Sequence, residues 1–276
     1  MDIKTILTEF PSQLINVSDT AKLDVILLLE YVSGLDRSHF YAWPDHRLTE
    51  DQHRHFLDLL NRRLKGEPVA YLIGRQDFWS LSFKVNHHTL IPRADTETLV
   101  EYLLNTFDDH PKTVLDLGTG SGAIAISLAH ERKNWRLCAV DISREALTIA
   151  CQNAKLHRCF NVEFVESSWF EKLADRRFDI IVSNPPYIDR DDVDLCRYVA
   201  QYEPVSALIA ADDGYADIAD IINNSRQHLS DNGCLVIEHG YKQGPIVKEL
   251  FQQVGFKNIN SHLDISGHWR ATSGVF

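Results

Sequence analysis

Apolar residues in the first part of the chain recur at spacings of three and four residues. That spacing places them on one face of an α-helix. Gly34 and the sequence Trp43-Pro44-Asp45 interrupt the pattern and separate successive helices. The two clearest series are Leu23, Ile26, Leu27 and Tyr31, followed by Phe56, Leu59, Leu60 and Leu64. We therefore predict a small helical domain over residues 1–65.

The helical pattern stops at Gly66-Glu67-Pro68, and a short extended stretch follows. Residues 81–85 alternate between apolar and polar positions, which is typical of a strand in a hairpin. We predict a linker with a β-hairpin over residues 66–88 and a larger domain over residues 89–276. The larger domain begins with a predicted helix that Asp95 caps.

Beyond Pro111, short β-branched apolar runs alternate with helical segments. This alternation is typical of βαβ units and a parallel sheet. The predicted strands cover residues 114–117, 137–140, 162–165, 178–182, 234–237, 259–263 and 269–276. The predicted helices between them cover residues 123–131, 144–156, 215–229 and 245–254. The pattern predicts an α/β fold with a doubly wound, mostly parallel seven-stranded sheet.

Composition and charge narrow the class of protein. A chain of 276 residues with 44% apolar positions is long enough for two domains, each with its own core. The formal net charge of −11 argues against a general nucleic-acid binder, whose affinity comes mostly from cationic side chains on phosphates. The sequence predicts neither a targeting segment nor a membrane span. We expect a cytoplasmic protein.

The chain has five cysteines, and none of them belongs to a Cys-x-x-Cys pair. Scattered cysteines without such spacing predict reduced thiols, with neither a disulfide framework nor a zinc site. They are Cys138, Cys151, Cys159, Cys196 and Cys234. No metal is therefore expected.

The strand predicted at residues 178–182 leads into Asn184-Pro185-Pro186-Tyr187. In open α/β sheets ligands bind beyond the carboxyl ends of the strands, so Asn184 is expected at the mouth of a site. The two prolines have no N–H and leave their carbonyl groups free to accept hydrogen bonds. The stretch thus combines hydrogen-bond acceptors with one flat ring. The alternative is that Asn184 only caps a turn before the prolines.

A glycine-rich loop, residues 116–122, lies between the first predicted strand and its helix. Glycines at this point let a ligand approach the backbone at a helix N-terminus. Gly118, Gly120 and Ala123 also satisfy a dinucleotide-binding pattern, with Asp141 about 20 residues further on to bind a ribose. An NAD enzyme is therefore one interpretation of this loop.

Asp116 argues against that interpretation. An acid at this position repels a pyrophosphate but attracts a cofactor that carries an amino-acid ammonium and a sulfonium. Asp141 is placed to bind both ribose hydroxyls, and Trp169 is placed as a wall for the base. The structural alternatives are an Asp116 bonded to nearby amides, an Asp141 that caps a helix, and Trp169 and Phe170 as core aromatics.

The acidic glycine loop, Asp141 and the Asn-Pro-Pro-Tyr sequence together resemble the S-adenosylmethionine-dependent amino-methyltransferases. Within that class the chain is similar to the peptide chain release factor glutamine N5-methyltransferases, the PrmC/HemK family, over nearly its whole length. The segments that carry this resemblance are 67–74, Phe78-Trp79, 90–93, Phe170, 183–188, Glu203-Pro204, Ala207-Leu208 and 238–240. One departure is Ala94-Asp95-Thr96-Glu97, where the family has Pro-Glu-Thr-Glu.

The resemblance implies methyl transfer from S-adenosylmethionine to the glutamine side chain in the Gly-Gly-Gln motif of class I release factors. It implies that the Asn184 side-chain oxygen and the Pro185 carbonyl accept the two amide N–H groups, and that Tyr187 covers the amide. The implied cofactor-binding residues are Asp116, Gly118, Thr119, Gly120, Ser121, Gly122, Asp141, Trp169 and Asn184. The implied substrate-binding residues are Asn184, Pro185, Pro186 and Tyr187. The helical domain is expected to recognise the release factor.

Three other functions remain open from the sequence. A glutamine methyltransferase that acts on a ribosomal protein shares the tetrapeptide. A DNA adenine methyltransferase also shares it but needs a basic cleft for the duplex, which the acidic composition disfavours. A module that binds the cofactor without catalysis is the third. We expect a monomer with no DNA or membrane partner, and His239 as a structural residue rather than a base.

Overall fold

A computed structural model of the chain describes residues 1–191 and 201–276. These residues form two compact units, Met1–Arg75 and Gln76–Phe276. Cys196 and part of the polar connection predicted after Tyr187 lie outside the described residues, and the four other cysteines are free thiols. No helix in the described ranges is long and apolar enough to cross a membrane.

The first unit is helical, and its sequence carries the end signals that helices need. The Asp2 carboxylate caps α1 through the Thr5 N–H, and Thr49 and Gln52 form a capping box at the start of α5. One ion pair is buried in this unit, with 2.7 Å between Arg63 Nε and Asp24 Oδ2. The helices are α1 Ile3–Glu9, α2 Pro11–Leu14, α3 Ala21–Ser33, α4 Arg37–Ala42, α5 Glu50–Leu64 and α6 Val69–Ile73.

The stretch between residues 66 and 88 holds two kinds of element. Helix α6 begins after Pro68 and ends at Gly74, whose positive φ suits a helix C-terminus. A two-stranded sheet follows, formed by β1 Arg75–Phe78 and β2 Leu81–Lys84. The hairpin was predicted, whereas helix α6 was not, since five residues are too few for a periodic pattern to stand out.

The second unit contains a seven-stranded sheet with the order β5-β4-β3-β6-β7-β9-β8. Neighbouring strands from β5 to β7 are parallel, and β9 runs antiparallel to both β7 and β8. The strands are β3 Thr113–Leu117, β4 Arg136–Asp141, β5 Val162–Glu166, β6 Phe178–Ser183, β7 Leu229–Glu238, β8 Lys257–Leu263 and β9 Trp269–Val275. The predicted mostly parallel seven-stranded fold is confirmed.

Helices cover both faces of this sheet. Because both faces are covered, adjacent residues of β3 enter different apolar clusters: Val114 packs on one side and Leu115 on the other. This is the reason that the central strands are continuous apolar runs rather than alternating ones. The helices are α7 Glu97–Thr106, α8 Ala123–Glu131, α9 Arg144–Leu156, a distorted turn α10 Ala211–Gly214, α11 Ala216–His228 and α12 Gly244–Val254.

The prediction that Asp95 caps the first helix of the large domain is wrong. A 3-10 turn at Ala94–Thr96 precedes α7, which begins at Glu97 without a side-chain cap. Asp95 instead forms an ion pair with Arg270, with 3.1 Å between its Oδ2 and the Arg270 Nη2. An ion pair with a strand 175 residues away cannot be read from the local pattern.

Candidate active site

The glycine loop turns sharply between β3 and α8. Gly118 and Gly120 have φ angles of +71° and +56°, which residues with a Cβ atom rarely adopt. A Cβ on Gly118 would also lie 3.4 Å from the Trp169 ring. The loop therefore keeps its backbone open on the side that faces Trp169.

Asp141 ends β4 and holds the glycine loop through main-chain contacts. Its Oδ2 accepts the Gly120 N–H and its Oδ1 accepts the Ser143 N–H, each at 2.8 Å. Burial raises the pKa of this carboxyl group, and the backbone N–H groups of Ser143, Gly120 and Ile142 oppose that rise. The side-chain cap of α9 is Ser143 and not Asp141. Asp141 thus keeps acceptor capacity for a ligand on the cavity side.

Asp116 lies beneath the glycine loop and is completely buried. Its Oδ2 accepts the Thr119 hydroxyl at 2.6 Å and the Ala125 N–H at 3.2 Å. Burial raises the pKa of Asp116 to about 7. Among the residues that the structure describes, none donates to its Oδ1. Asp116 therefore supports the loop from behind and leaves one buried acceptor open.

Trp169 and Phe170 follow β5 but have different surroundings. Trp169 is half-buried beside Gly118, and its side chain hydrogen-bonds Asp217. Phe170 is buried and stacks on His228, with 4.6 Å between the ring centroids. Of the two aromatics that the sequence left open, Trp169 stands at the cavity and Phe170 belongs to the core.

The Asn-Pro-Pro-Tyr sequence begins directly after β6. The Asn184 side chain is half-buried, and its Nδ2 donates to the Thr96 hydroxyl oxygen at 3.0 Å. The Tyr187 hydroxyl donates to Glu238 Oε1 at 3.2 Å, and the Tyr187 carbonyl accepts the Gln243 Nε2–H at 3.1 Å. The tetrapeptide is thus held at both ends by side chains from other parts of the fold.

Glu238, at the end of β7, is a second completely buried carboxyl group. Burial raises its pKa to about 7, while interactions with Thr96, Arg270 and Tyr187 oppose the rise. Its Oε2 has no hydrogen-bond partner within residues 1–191 and 201–276. The sequence analysis named Glu238 only within segment 238–240, which carries the family resemblance, and gave it no role, because an acid at the end of an apolar strand gives no sign of what it contacts.

These elements enclose one cavity of about 300 Å³ at the carboxyl ends of the parallel strands. Its glycine-loop wall is formed by Gly118, Gly120, Asp141 and Trp169, and its Asn184 wall by Asn184 and Pro186. Six residues predicted for the site lie off the cavity lining: Asp116, Thr119, Ser121, Gly122, Pro185 and Tyr187.

The lining also includes residues that the sequence analysis missed. Ile142, directly after Asp141, is 69% exposed, and its exposure is visible only in the structure. The others are His88, Leu90, Ser143, Ala146, Ser167, Ser168, Pro204, Ser206, Ala207 and Asp217. Most of these lie on loops whose approach depends on the tertiary fold.

His239 does not lie on the cavity lining. It is buried, its Nε2 lies 2.9 Å from the Thr272 hydroxyl, and its Nδ1 lies 2.9 Å from the Gly240 carbonyl oxygen. Burial lowers its pKa, so the ring is held neutral. The geometry agrees with a structural role for this histidine.

The residues present fit a nucleoside cofactor that carries a positive charge. Asp141 offers carboxylate oxygens to hydroxyl groups, and the bare backbone of Gly118 and Gly120 allows close approach. Trp169 and Ile142 supply apolar surface for a flat base. When Asp116 is ionised, it adds negative charge behind the loop, although it lies off the cavity lining. This set suits S-adenosylmethionine better than a dinucleotide with its anionic pyrophosphate.

Comparisons with known families match both units. The model of the PrmC N-terminal domain matches residues 5–74, and the model of the methyltransferase small domain matches residues 92–200. Together they cover more than half of the chain.

Relatives with similar sequences extend over the whole chain. The release factor glutamine methyltransferase of Salmonella typhimurium is 44% identical over 276 residues, which are 100% of this chain and 99% of the relative. The protein of the same name from Escherichia coli is 42% identical with the same coverage, and that from Pseudomonas aeruginosa is 45% identical over 93% of each chain.

Solved structures share the fold at lower identity. A methyltransferase from Pyrococcus furiosus has a TM-score of 0.53 at 18% identity and covers 83% of this chain and 98% of its own. A ribosomal protein L11 methylase from Lactobacillus delbrueckii has a TM-score of 0.52 at 22% identity and covers 67% of this chain and 80% of its own. Likeness at this identity shows the fold alone. The full-length sequence relatives show the family, and the chain belongs to the release factor glutamine methyltransferases.

Proposed function

We propose that the protein transfers a methyl group from S-adenosylmethionine to the side-chain amide nitrogen of the glutamine in the Gly-Gly-Gln motif of class I release factors. The observation that carries the proposal is the cavity whose two walls face each other. One wall offers a carboxylate and open glycine backbone, and the other offers Asn184. The names of the full-length relatives support the choice of substrate.

The glycine-loop wall holds the cofactor in this proposal. Asp141 accepts hydrogen bonds from the ribose hydroxyls with the lone pairs that Gly120 and Ser143 leave unused. Trp169 covers one face of the base. When bound, S-adenosylmethionine supplies an electrophilic methyl group on a sulfonium. Asp116, when ionised, favours the cationic end of the cofactor.

The Asn184 wall prepares the nucleophile. An amide nitrogen is a weak nucleophile because its lone pair is delocalised into the carbonyl group. The Asn184 Oδ1 and the Pro185 carbonyl accept the two N–H groups of the substrate amide and leave the lone pair facing the methyl donor. Pro186 lines this wall, and the Tyr187 ring would cover the flat amide once the substrate is bound, although Tyr187 lies off the lining of the cavity. Each such hydrogen bond contributes about 0.5 to 1.5 kcal/mol, whereas aligned approach can contribute about 7 to 11 kcal/mol.

No general base is needed before the transfer. S-adenosylmethionine, held by Asp141 and the glycine-loop backbone, would supply the methyl carbon, and the electron pair of its carbon–sulfur bond would leave with the sulfur. The methylated amide is then positively charged and strongly acidic, so it loses a proton to water. The neutral ring of His239 has a hydrogen-bond partner at each nitrogen and lies off the cavity lining. It takes no part in this step.

The partner is a class I release factor, which the helical unit recognises, and the enzyme acts as a cytoplasmic monomer. The test is incubation with S-adenosylmethionine and purified release factor, followed by mass-spectrometric mapping of the added methyl groups. Methylation of the Gly-Gly-Gln glutamine is expected. Parallel incubations with ribosomal proteins and with DNA test the other two methyl acceptors, and an unmodified Gly-Gly-Gln peptide would contradict the proposal.

A further inference from the structure

We infer that Thr96 is a positioning residue: its hydroxyl oxygen accepts a hydrogen bond from Asn184 Nδ2 and so turns the Asn184 Oδ1 toward the cavity. The inference rests on the proposed function. Thr96 is 5% exposed and lies in the 3-10 turn before α7. The bond to Asn184 measures 3.0 Å and joins segments 88 residues apart.

The orientation of this amide decides whether Asn184 can bind the substrate. An asparagine side chain carries an acceptor oxygen and a donor NH₂ on the same carbon. A half-turn of that group exchanges the two. The substrate amide also presents N–H groups, so it needs an acceptor opposite them. A turned Asn184 would place N–H against N–H, and the hydrogen bond would be replaced by repulsion.

The hydroxyl of Thr96 is held in the accepting role by its surroundings. A hydroxyl group has one proton to donate and lone pairs that accept. Thr96 also interacts with the buried carboxyl group of Glu238, which can only accept when it is ionised. When Glu238 is ionised it takes the Thr96 proton, and a lone pair of the hydroxyl is left for Asn184. Only the NH₂ end of the Asn184 amide satisfies that lone pair.

An ion pair of Asp95 and a hydrogen bond to Glu97 hold the Thr96 turn in place. Asp95 pairs with Arg270, which in turn pairs with Asp264 at 3.0 Å. On the other side, Glu97 Oε1 accepts the backbone N–H of Trp79 at 2.6 Å. Within the segment from Ala94 to Glu97, the sequence departs from the pattern of the family it resembles at Ala94 and Asp95 and matches it at Thr96 and Glu97. Its two acids anchor the turn, and its threonine reaches Asn184.

The test compares isosteric and conservative variants of Thr96. Thr96→Val keeps the shape but removes the hydroxyl, and kcat is expected to fall about 100-fold because the acceptor is misaligned. The Kd for S-adenosylmethionine and the KM for the release factor should change by less than about threefold. Thr96→Ser restores the hydroxyl and is expected to return kcat to within about threefold of the wild type.

Thr272→Val is the matched control. Thr272 is also completely buried and makes one side-chain hydrogen bond, to His239. Its replacement removes a buried hydroxyl at a cost to stability but is expected to leave kcat within about twofold. A Thr96→Val enzyme with the kcat of the control would overturn the inference.

A second measurement does not depend on turnover. In the full chain labelled with ¹⁵N-asparagine, the Asn184 NH₂ signal is the one that Asn184→Ala removes. Its protons are expected to exchange slowly with water in the wild type and in Thr96→Ser, and fast in Thr96→Val. Equal exchange in all three would show that the contact does not hold the amide. An inactive wild type with protected Asn184 protons would instead reject the proposed function alone.

Discussion

The two walls of the cavity are held in place by different kinds of contact. Asp141 fixes the glycine-loop wall through two backbone N–H groups, one of which lies two residues away. Asn184 and Tyr187 are held by the side chains of Thr96 and Glu238, which lie 88 and 51 residues away. The first wall therefore tolerates change around it as long as the loop and the carboxylate remain. The second depends on the identity of distant side chains.

Behind each wall lies a completely buried carboxyl group, one oxygen of which has no hydrogen-bond partner in the described part of the chain. Asp116 supports the glycine-loop wall, and Glu238 supports the Asn184 wall. The pKa of each is raised to about 7 by burial. Each is retained although burial of a carboxyl group with one oxygen left without a hydrogen bond disfavours folding. We interpret both as groups that the site needs for orientation or charge rather than for stability.

The largest expected effect comes from the acceptor itself. Asn184→Ala removes the oxygen that binds the substrate amide, and kcat is expected to fall about 100- to 1000-fold. The Kd for S-adenosylmethionine should stay within about threefold, because the glycine-loop wall is untouched. Steady-state kinetics with the release factor and calorimetry with the cofactor measure the two quantities. Activity within about tenfold of the wild type would show that Asn184 is not the acceptor.

Next in size is the pH dependence of stability. The pKa of Glu238 is 4.5 in its reference state and about 7 in the folded protein, so between these values only the unfolded chain loses the proton. The folded state is therefore destabilised as pH rises, by about 3 kcal/mol at about 1.4 kcal/mol per unit. Glu238→Gln is expected to be more stable than the wild type near pH 8, by up to about that amount, and equal to it near pH 4.

Urea unfolding at the two pH values checks this expectation. Asp116→Asn is the matched variant on the other wall, with a reference pKa of 3.8 and a raised value of about 7. Asp116→Asn should also be more stable than the wild type near pH 8 and equal to it near pH 4. The two variants should differ in function, since Glu238→Gln lowers kcat and Asp116→Asn weakens cofactor binding. The difference in unfolding free energy between Glu238→Gln and the wild type is expected to grow from pH 4 to pH 8. A difference that shrinks would contradict the raised pKa of Glu238.

The contrast between the locally held glycine-loop wall and the Asn184 wall, which distant side chains hold, also explains what the sequence could predict. The strands, the glycine loop and Asp141 follow from patterns within a few residues, and their places at the sheet edge follow from the parallel topology. Asp95, by comparison, has the local features of a helix cap yet pairs with Arg270. Thr96 and Glu238 have no local signal at all, because their contacts are set by how β6, β7 and the turn before α7 pack together.

A smaller effect is expected from Asp141. Asp141→Ala removes acceptors for the ribose hydroxyls, and hydrogen bonds to a charged group contribute about 1.5 to 3 kcal/mol, so the Kd for S-adenosylmethionine should rise about 10- to 100-fold. With saturating cofactor, kcat should recover to within about threefold, in contrast to Asn184→Ala. Asp141→Asn keeps one acceptor oxygen, so its Kd for S-adenosylmethionine should lie between those of the wild type and Asp141→Ala. An unchanged Kd in Asp141→Ala would remove this residue from the site.

The smallest effect separates the wall from the core behind it. Trp169→Leu removes the ring that lines the cavity, and the Kd for S-adenosylmethionine should rise about 2- to 10-fold, as the loss of one aromatic contact predicts. Phe170→Leu is the matched control, because Phe170 is buried against His228 and lies off the lining. It should lower the free energy of unfolding by about 1 kcal/mol and leave the Kd unchanged. Equal shifts in Kd for both variants would mean that Trp169 acts through packing, and the glycine-loop wall would then depend on side chains as the Asn184 wall does.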